Sequence, residues 1–170
     1  MVPVRLTLAL ALLAGAPLCL GADPGAAAPD ATAWRGARWG MTPEEVLKAF
    51  PSEVKALPRP VPLPNGEVVL LGIDEVTVGG TRFEVRFVFG GGKLRLVSLR
   101  TPEKDHPEEQ VYAALLRQLQ AEMGSPGEEN KDDRVVDTRV TRWVVGGTRI
   151  DLKYIPGLVV ILRSPAPAKS

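Results

Sequence analysis

The stretch VGGTRFEV at residues 78–85 returns sixty-seven positions later as VGGTRIDL at residues 145–152. In each copy a Gly-Gly pair stands before Thr-Arg and a short alternation of apolar and acidic residues. This pattern is typical of a two-residue hairpin turn that leads into a strand, because glycine adopts the positive φ angles that such turns require. A phosphate-binding glycine loop would instead lead into a helix N-terminus. The two stretches therefore predict two β-hairpins, one in each half of the chain.

A helix is predicted ahead of each hairpin. The first begins after Thr42, which forms a capping box with Glu45, and it ends near Pro51. The second begins at Pro107, sixty-four residues after Pro43, the first residue of the first helix. Similar offsets between corresponding elements indicate a duplicated unit. The apolar stripe of the second helix consists of Tyr112, Leu115, Leu116, Leu119 and Met123.

Six strands complete the pattern. They are predicted over residues 68–78, 82–89, 93–100, 135–145, 148–154 and 158–163. The order is therefore one helix and three strands, written twice. We predict an α+β fold made of a duplicated αβββ unit, a helix plus a three-stranded antiparallel meander, with both helices packed on one face of the sheet.

Two connections lack a periodic pattern. The proline-rich segment 51–66 is predicted to be extended, as a connection or a sheet edge, and the alternative is a ligand for a proline-recognition module. The polar segment 125–134 is predicted to be a mobile loop.

The N-terminus has the layout of a secretory signal peptide, with Arg5 ahead of an apolar run over residues 6–13. This layout predicts an exported protein, periplasmic or extracellular. A lipoprotein anchored through Cys19 is the alternative, and Leu18 opposes it because a lipoprotein signal has a small residue there. The predicted segments are a signal peptide over 1–21, a flexible leader over 22–36, a single domain over 37–164 with units 37–101 and 105–164, and a disordered tail over 165–170.

Charge and cysteine content exclude several functions. Removal of the signal peptide takes away one of the 21 basic residues, none of the 20 acidic ones and the only cysteine. A chain with balanced charge has no global attraction to nucleic acid or to an anionic membrane surface. An exported domain without cysteine is held together by its apolar core alone, and thiol chemistry is excluded. No segment after the signal is long and apolar enough to predict a stable membrane span.

Catalytic and metal-binding patterns are not found in the sequence. His106 is the only histidine, and it has no cysteine or second histidine at zinc-ligand spacing. Acidic pairs occur at the two helix starts, where they complement the helix dipole, and in polar segments. The run EENKDD at 128–133 is an alternative calcium site, although it lacks the glycine and the final glutamate of a calcium loop. We therefore expect no catalytic residue, no cofactor and no metal.

Three side chains are candidates for contact with a partner: Trp143, Arg142 and Trp39. Trp143 and Arg142 lie on a predicted strand just before the second Gly-Gly turn. The favoured interpretation of Trp143 is a core residue beneath a helix. The alternative is an aromatic anchor on a binding face.

The stretch RWGMTPEEV at 38–46 and the pattern W-x-x-G-x-T-x-I-x-L at 143–152 resemble a set of small bacterial exported proteins. Those proteins open with a Trp-Gly-Met-(Ser/Thr)-x-x-Glu-Val helix, and the resemblance covers residues 37–164. Most of them have no assigned activity, so the resemblance carries over no catalytic residue. The plan is more loosely similar to β-lactamase-inhibitor-like domains and to outer-membrane assembly lipoproteins, which bind other proteins through the sheet.

These observations predict an exported, non-enzymatic domain that binds a protein or envelope component through its sheet face or hairpin tips. An envelope hydrolase with a carboxylate site assembled from distant strands is the alternative. A third possibility is a purely structural role without a specific partner. A deep polar cleft would favour the enzyme, and a flat sheet face studded with Trp or Arg would favour binding.

Overall fold

The computed structural model describes residues 32–102, 109–132 and 138–167. The predicted signal peptide, most of the leader, His106 and the side chains of the run 128–133 lie outside the described residues. The elements are β1 (Thr32–Trp34), β2 (Ala37–Arg38), α1 (Pro43–Ala49), β3 (Lys55–Pro62), β4 (Val68–Val78), β5 (Thr81–Gly90), β6 (Lys93–Arg100), α2 (Glu109–Met123), β7 (Glu128–Asp132), β8 (Thr138–Val145), β9 (Thr148–Ile155) and β10 (Leu158–Pro165).

Strands β3 to β10 form one continuous eight-stranded sheet in the order β3-β4-β5-β6-β10-β9-β8-β7, and β1 pairs with β2 in a separate hairpin. Every pairing in the sheet is antiparallel. The two halves of the chain meet where β6 pairs with β10 and Leu99 faces Ile161. The first half of the chain supplies β3 to β6 and the second half supplies β7 to β10. In both halves the strands follow one another from an edge of the sheet to its centre. The predicted α+β class and antiparallel pairing are confirmed.

The two Gly-Gly turns form as predicted. Gly79 and Gly80, between β4 and β5, have φ angles of 58° and 77°. Gly146 and Gly147, between β8 and β9, have φ angles of 55° and 76°. Two successive positive φ angles define the turn whose twist matches that of the flanking strands, and glycine adopts them without steric cost.

Helix α1 has the predicted capping box, and α2 follows its predicted stripe from Glu109 onward, whereas its predicted start at Pro107 lies outside the described residues. At the start of α1 the Glu45 amide donates to Thr42 Oγ1 at 3.3 Å, and the Thr42 amide donates to Glu45 Oε2 at 2.7 Å, which completes the capping box. The second helix ends at Gly124, whose amide donates to the Gln120 carbonyl at 2.9 Å. The residues that α2 buries are Tyr112, Leu115 and Leu119.

The core lies between the helices and one face of the sheet. Phe50, at the end of α1, and Trp34 of β1 pack on Phe87 of β5, with ring centroids 6.4 Å and 6.1 Å away. Tyr112 of α2 packs on Tyr154 of β9 at 5.9 Å. The sheet register places Phe87 and Tyr154 on the same face, so both helices cover one side of the sheet.

The sequence predicts a domain that starts at residue 37, but the structure is already ordered from residue 32. Residues 32–36 were expected to belong to a flexible leader, yet they form β1 and the turn into β2. Trp34 is buried in the core, and Arg35 lies over its ring at 4.7 Å. Burial of the Trp34 indole, the pairing of β1 with β2 and a hydrogen bond of 3.0 Å from Thr148 Oγ1 to the Thr32 carbonyl hold this segment in place.

Each half has one strand more than the predicted αβββ unit. The added strands are β3 and β7, which form the two edges of the sheet. Prolines are tolerated in β3 because an edge strand has N–H groups that need no partner, so the sheet-edge interpretation of segment 51–66 is the correct one. The loop prediction for 125–134 was wrong for Glu128–Asp132, because the charged residues of β7 show no strand alternation.

Candidate functional site

The sheet face opposite the helices, here called the open face, is the candidate site. Along β5 the side chains of Phe83 and Val85 enter the core, so those of Glu84 and Arg86 lie on the open face. The register extends this assignment to the neighbouring strands. Among the residues whose side chains are described, at least seven basic and three acidic side chains lie on this face: Lys55, Arg82, Arg86, Arg100, Arg142, Arg149 and Lys153, with Asp74, Glu84 and Asp151. The open face is therefore locally positive in a chain of nearly balanced charge.

Asp151, Arg142 and Arg149 form a group on this face that we call the Asp151 cluster. Arg142 stands opposite Asp151 across the β8–β9 ladder and donates from Nε to Oδ1 at 2.8 Å. Arg149 donates from Nη2 to Oδ2 at 2.7 Å and from Nε to both carboxylate oxygens at 3.1 Å. The Asp151 side chain is 6% exposed, whereas Arg142 and Arg149 are 30% and 35% exposed. A buried carboxylate thus fixes two guanidinium groups at the surface.

The protonation of Asp151 follows from this geometry. Burial opposes its ionisation, but the hydrogen bonds and charges of Arg149 and Arg142 outweigh that effect and hold the pKa of the Asp151 carboxyl below its ordinary value of 3.8. Asp151 is therefore ionised at neutral pH. A general acid needs the opposite shift, so the cluster is suited to presenting fixed positive charge and is unsuited to proton transfer.

A second ion pair lies on the open face in the first half of the chain. Arg86 Nη2 donates to Glu84 Oε2 at 3.0 Å, and its Nη1 donates to the Val85 carbonyl at 3.1 Å. A methyl group at Gly72 would lie 2.6 Å from Arg86 Nη1. The absence of a side chain at Gly72 is therefore what lets this guanidinium lie against the backbone.

The structure separates the three predicted contact residues. Trp143 is 1% exposed, and its Nε1 donates to the Gly124 carbonyl at 3.0 Å, which supports the core interpretation. Trp39 is also buried, and its Nε1 donates to Thr148 Oγ1 at 3.0 Å. Neither indole presents its ring to a partner in this structure. Of the three, Arg142 alone lies on the open face.

Sequence reasoning missed Arg149 and Asp151 as site residues. Both belong to VGGTRIDL, and the sequence predicts only that they lie in the returning strand 148–154. The alternation of side chains along a strand could have indicated that Arg149 and Asp151 lie on the same side of β9. The position of Arg142 opposite them depends on the β8–β9 register.

The described residues contain no group of three or more His, Cys, Asp or Glu side chains that could hold a metal ion. Neither helix in the described part of the chain has the length and apolarity needed to cross a membrane. The chain matches no protein-family model, no curated protein and no solved structure. We therefore argue the function from the open face.

Proposed function

We propose that this chain is an exported, non-enzymatic α+β domain that binds a protein or another envelope component through its open face. The partner presents an acidic surface, because basic side chains outnumber acidic ones on this face. The observation that carries the proposal is the Asp151 cluster, in which a carboxylate that is 6% exposed holds two surface arginines in place. Arginines fixed in advance lose little side-chain entropy when they bind carboxylates or phosphates.

The alternative of an envelope hydrolase requires two carboxyl groups whose pKa values are pushed apart. On the open face Glu84 and Asp151 are instead each paired with arginine, at 3.0 Å for Glu84 and 2.7 Å for Asp151, and Asp74 is paired with Lys55 at 3.6 Å. The pKa of Asp151 is lowered, which favours a permanent negative charge. These pairings support binding over proton transfer.

The proposal extends to the origin and location of the domain. The two halves are proposed to be copies of one unit, a helix with the predicted three-stranded meander and an added edge strand. The offsets of sixty-four and sixty-seven residues and the inward order of the strands from both edges support this. Export is supported by the N-terminal sequence and by the resemblance to small bacterial exported proteins. The mass of the mature chain tests cleavage after residue 21.

Site-directed photo-crosslinking in cells that express the full chain tests the binding face. Val144 lies on the open face beside Arg149 and is 59% exposed, so Val144→p-benzoylphenylalanine places the probe next to the Asp151 cluster. We expect a discrete adduct whose yield falls at least tenfold when Arg142→Glu and Arg149→Glu are added, because two positive charges become negative. Raising the salt concentration should also lower the yield.

The matched control is Lys48→p-benzoylphenylalanine, because Lys48 is exposed on α1, on the other side of the sheet. A probe there should give no such adduct. Adducts of equal yield from both positions, or an adduct that survives the double charge reversal, would contradict the proposal. Circular dichroism of each variant establishes that the fold is intact.

A further inference from the structure

A cleft of about 510 Å³, here called the basic pocket, lies between the turn after β2, helix α1 and the start of β6. Among the described residues its charged lining consists of Arg38, Lys48 and Lys93, with Glu45 as the acidic member. The pocket therefore carries an excess of two positive charges. It shares no lining residue with the Asp151 cluster on β8 and β9.

Backbone hydrogen bonds fix one wall of the basic pocket, the turn over residues 38–41. Within the turn the Met41 amide donates to the Arg38 carbonyl at 3.3 Å, and Gly40 has a φ angle of 83°. The Gly40 amide donates to the Leu94 carbonyl at 3.1 Å, and the Leu94 amide donates to the Met41 carbonyl at 2.8 Å. The turn is thus attached to β6 by its backbone.

The positions of the two lysines follow from this attachment. Lys93 directly precedes Leu94 in β6, so it stands beside the turn. Lys48 lies in the last turn of α1, and α1 begins two residues after the 38–41 segment. The fold therefore gathers three cations that are ten and forty-five residues apart in the sequence.

The three cations are exposed, and within the described part of the chain no ion pair joins any of them to an acidic side chain. The carboxylate of Glu45 is engaged in the capping box, where its Oε2 accepts from the Thr42 amide at 2.7 Å. Positive charges that converge on one cleft repel one another, and an anion bound between them removes that repulsion.

The number of charges and donors favours a phosphomonoester as the anion. Such a group has three terminal oxygens and about two negative charges at neutral pH, which match three cationic donors and the excess of two positive charges. A carboxylate or a phosphodiester carries a single charge. Arginine binds phosphate oxygens through a planar fork and lysine binds them as a point charge, so both residue types fit this ligand.

We propose that the basic pocket binds one phosphomonoester group, with its terminal oxygens between Arg38, Lys48 and Lys93. The half-buried Met41 and the exposed Ala49 supply apolar lining for the body of the ester. This site is separate from the open face and does not rest on the proposed function. A soluble phosphate ester and the headgroup of a phosphorylated lipid both present the same group.

Isothermal titration of the full chain with glycerol phosphate tests the site, and dimethyl phosphate is the singly charged control. We expect one bound glycerol phosphate per chain and about tenfold weaker binding of dimethyl phosphate. Lowering the pH through the second pKa of the ester, which is about 6, should weaken glycerol phosphate binding about fivefold because the ester loses one charge. The affinity for dimethyl phosphate should not change over the same range.

Co-sedimentation with phosphatidylcholine vesicles distinguishes the two sources of the group. Vesicles that contain phosphatidic acid present a phosphomonoester, whereas those that contain phosphatidylglycerol present a phosphodiester. Preferential binding to the first, reversed by glycerol phosphate, assigns the site to a lipid headgroup. Binding of glycerol phosphate without sedimentation assigns it to a soluble ester. Equal sedimentation with both vesicle types, not reversed by glycerol phosphate, would contradict the proposal.

Two double variants locate the binding. Lys48→Gln with Lys93→Gln removes two of the three cations and should weaken glycerol phosphate binding about tenfold or more. The matched control is Lys55→Gln with Arg59→Gln, which removes two exposed positive charges of β3 that do not line the pocket. This control should bind glycerol phosphate normally. Circular dichroism establishes that both variants are folded.

Absence of binding, non-saturable binding, equal affinity for dimethyl phosphate, or equal losses in the two double variants would overturn the proposal. The photo-crosslinks from Val144 are read separately. If they persist while glycerol phosphate does not bind, the phosphomonoester proposal fails and the proposed function stands. If glycerol phosphate binds while those crosslinks are absent, the reverse holds. A small ester forms no protein adduct with a probe at Lys48, so that control keeps its meaning.

Discussion

Glu84 and Asp151 occupy the same place in the two VGGTR hairpins, yet the fold gives them different surroundings. Asp151 is 6% exposed and held by two arginines, whereas Glu84 is 34% exposed and pairs with Arg86. The difference comes from the strand across the ladder. Strand β8 places Arg142 opposite Asp151, and the residue sixty-seven positions before Arg142 is Glu75. The same turn sequence thus supports a charge cluster in one half of the chain and an ordinary ion pair in the other.

The largest expected difference between the halves is at Trp143, whose counterpart sixty-seven residues earlier is Val76. Both are buried. Trp143→Ala removes a large ring and its hydrogen bond to Gly124, so the free energy of unfolding should fall by about 3–5 kcal/mol. Val76→Ala should lower it by only about 1.5 kcal/mol. Urea unfolding followed by circular dichroism measures both, and equal losses would show that the two hairpins pack alike.

A smaller effect is expected from neutralising the two carboxylates. Asp151→Asn removes the charge of a carboxylate that is 6% exposed and weakens its hydrogen bonds with Arg142 and Arg149, so it should lower the free energy of unfolding by about 1–3 kcal/mol. Glu84→Gln, at the exposed counterpart, should change it by no more than about 0.5 kcal/mol. Denaturant midpoints of the two variants give the comparison directly. If Glu84→Gln lowered the free energy of unfolding as much as Asp151→Asn does, the two carboxylates would contribute equally to stability, which would contradict the difference between the hairpins.

The smallest expected effect is a pH dependence that belongs to the second hairpin. The folded pKa of Asp151 lies below its ordinary value of 3.8. The stability that the ionised carboxylate contributes is therefore complete above that pH and is lost as the pH falls through the folded pKa. Unfolding free energies measured from pH 6 down to the acid transition should drop less in Asp151→Asn than in the unsubstituted chain. Parallel pH profiles would show that the cluster does not stabilise the ionised form.

Local signals in the sequence predicted most of the regular structure. The capping box of Thr42 and Glu45 and the stripe of α2 depend on residues within a few positions of one another, so they could be recognised without the fold. Strand β5 alternates clearly, and β4 and β5 are each followed by a pair of glycines. Strand β7 and the ordered segment 32–36 have no such pattern, and what the structure shows around them is a ladder with β8 for β7 and the packing of Trp34 on the distant Phe87 for segment 32–36. The Asp151 cluster was missed for the same reason.

The sequence by itself determined the turns, the helices and the alternation of the central strands, because glycine geometry, helix capping and side-chain periodicity act over a few residues. The tertiary structure alone decided how the two similar halves combine. The α2 helix covers the first hairpin tip, where a methyl group at Gly79 would meet Gln118 and lie 3.3 Å from Leu115, whereas nothing lies within 4 Å of one at Gly146. Register across the sheet likewise brought Arg142 to Asp151. These contacts join residues that are far apart in the sequence. A pattern of a few neighbouring residues cannot predict them.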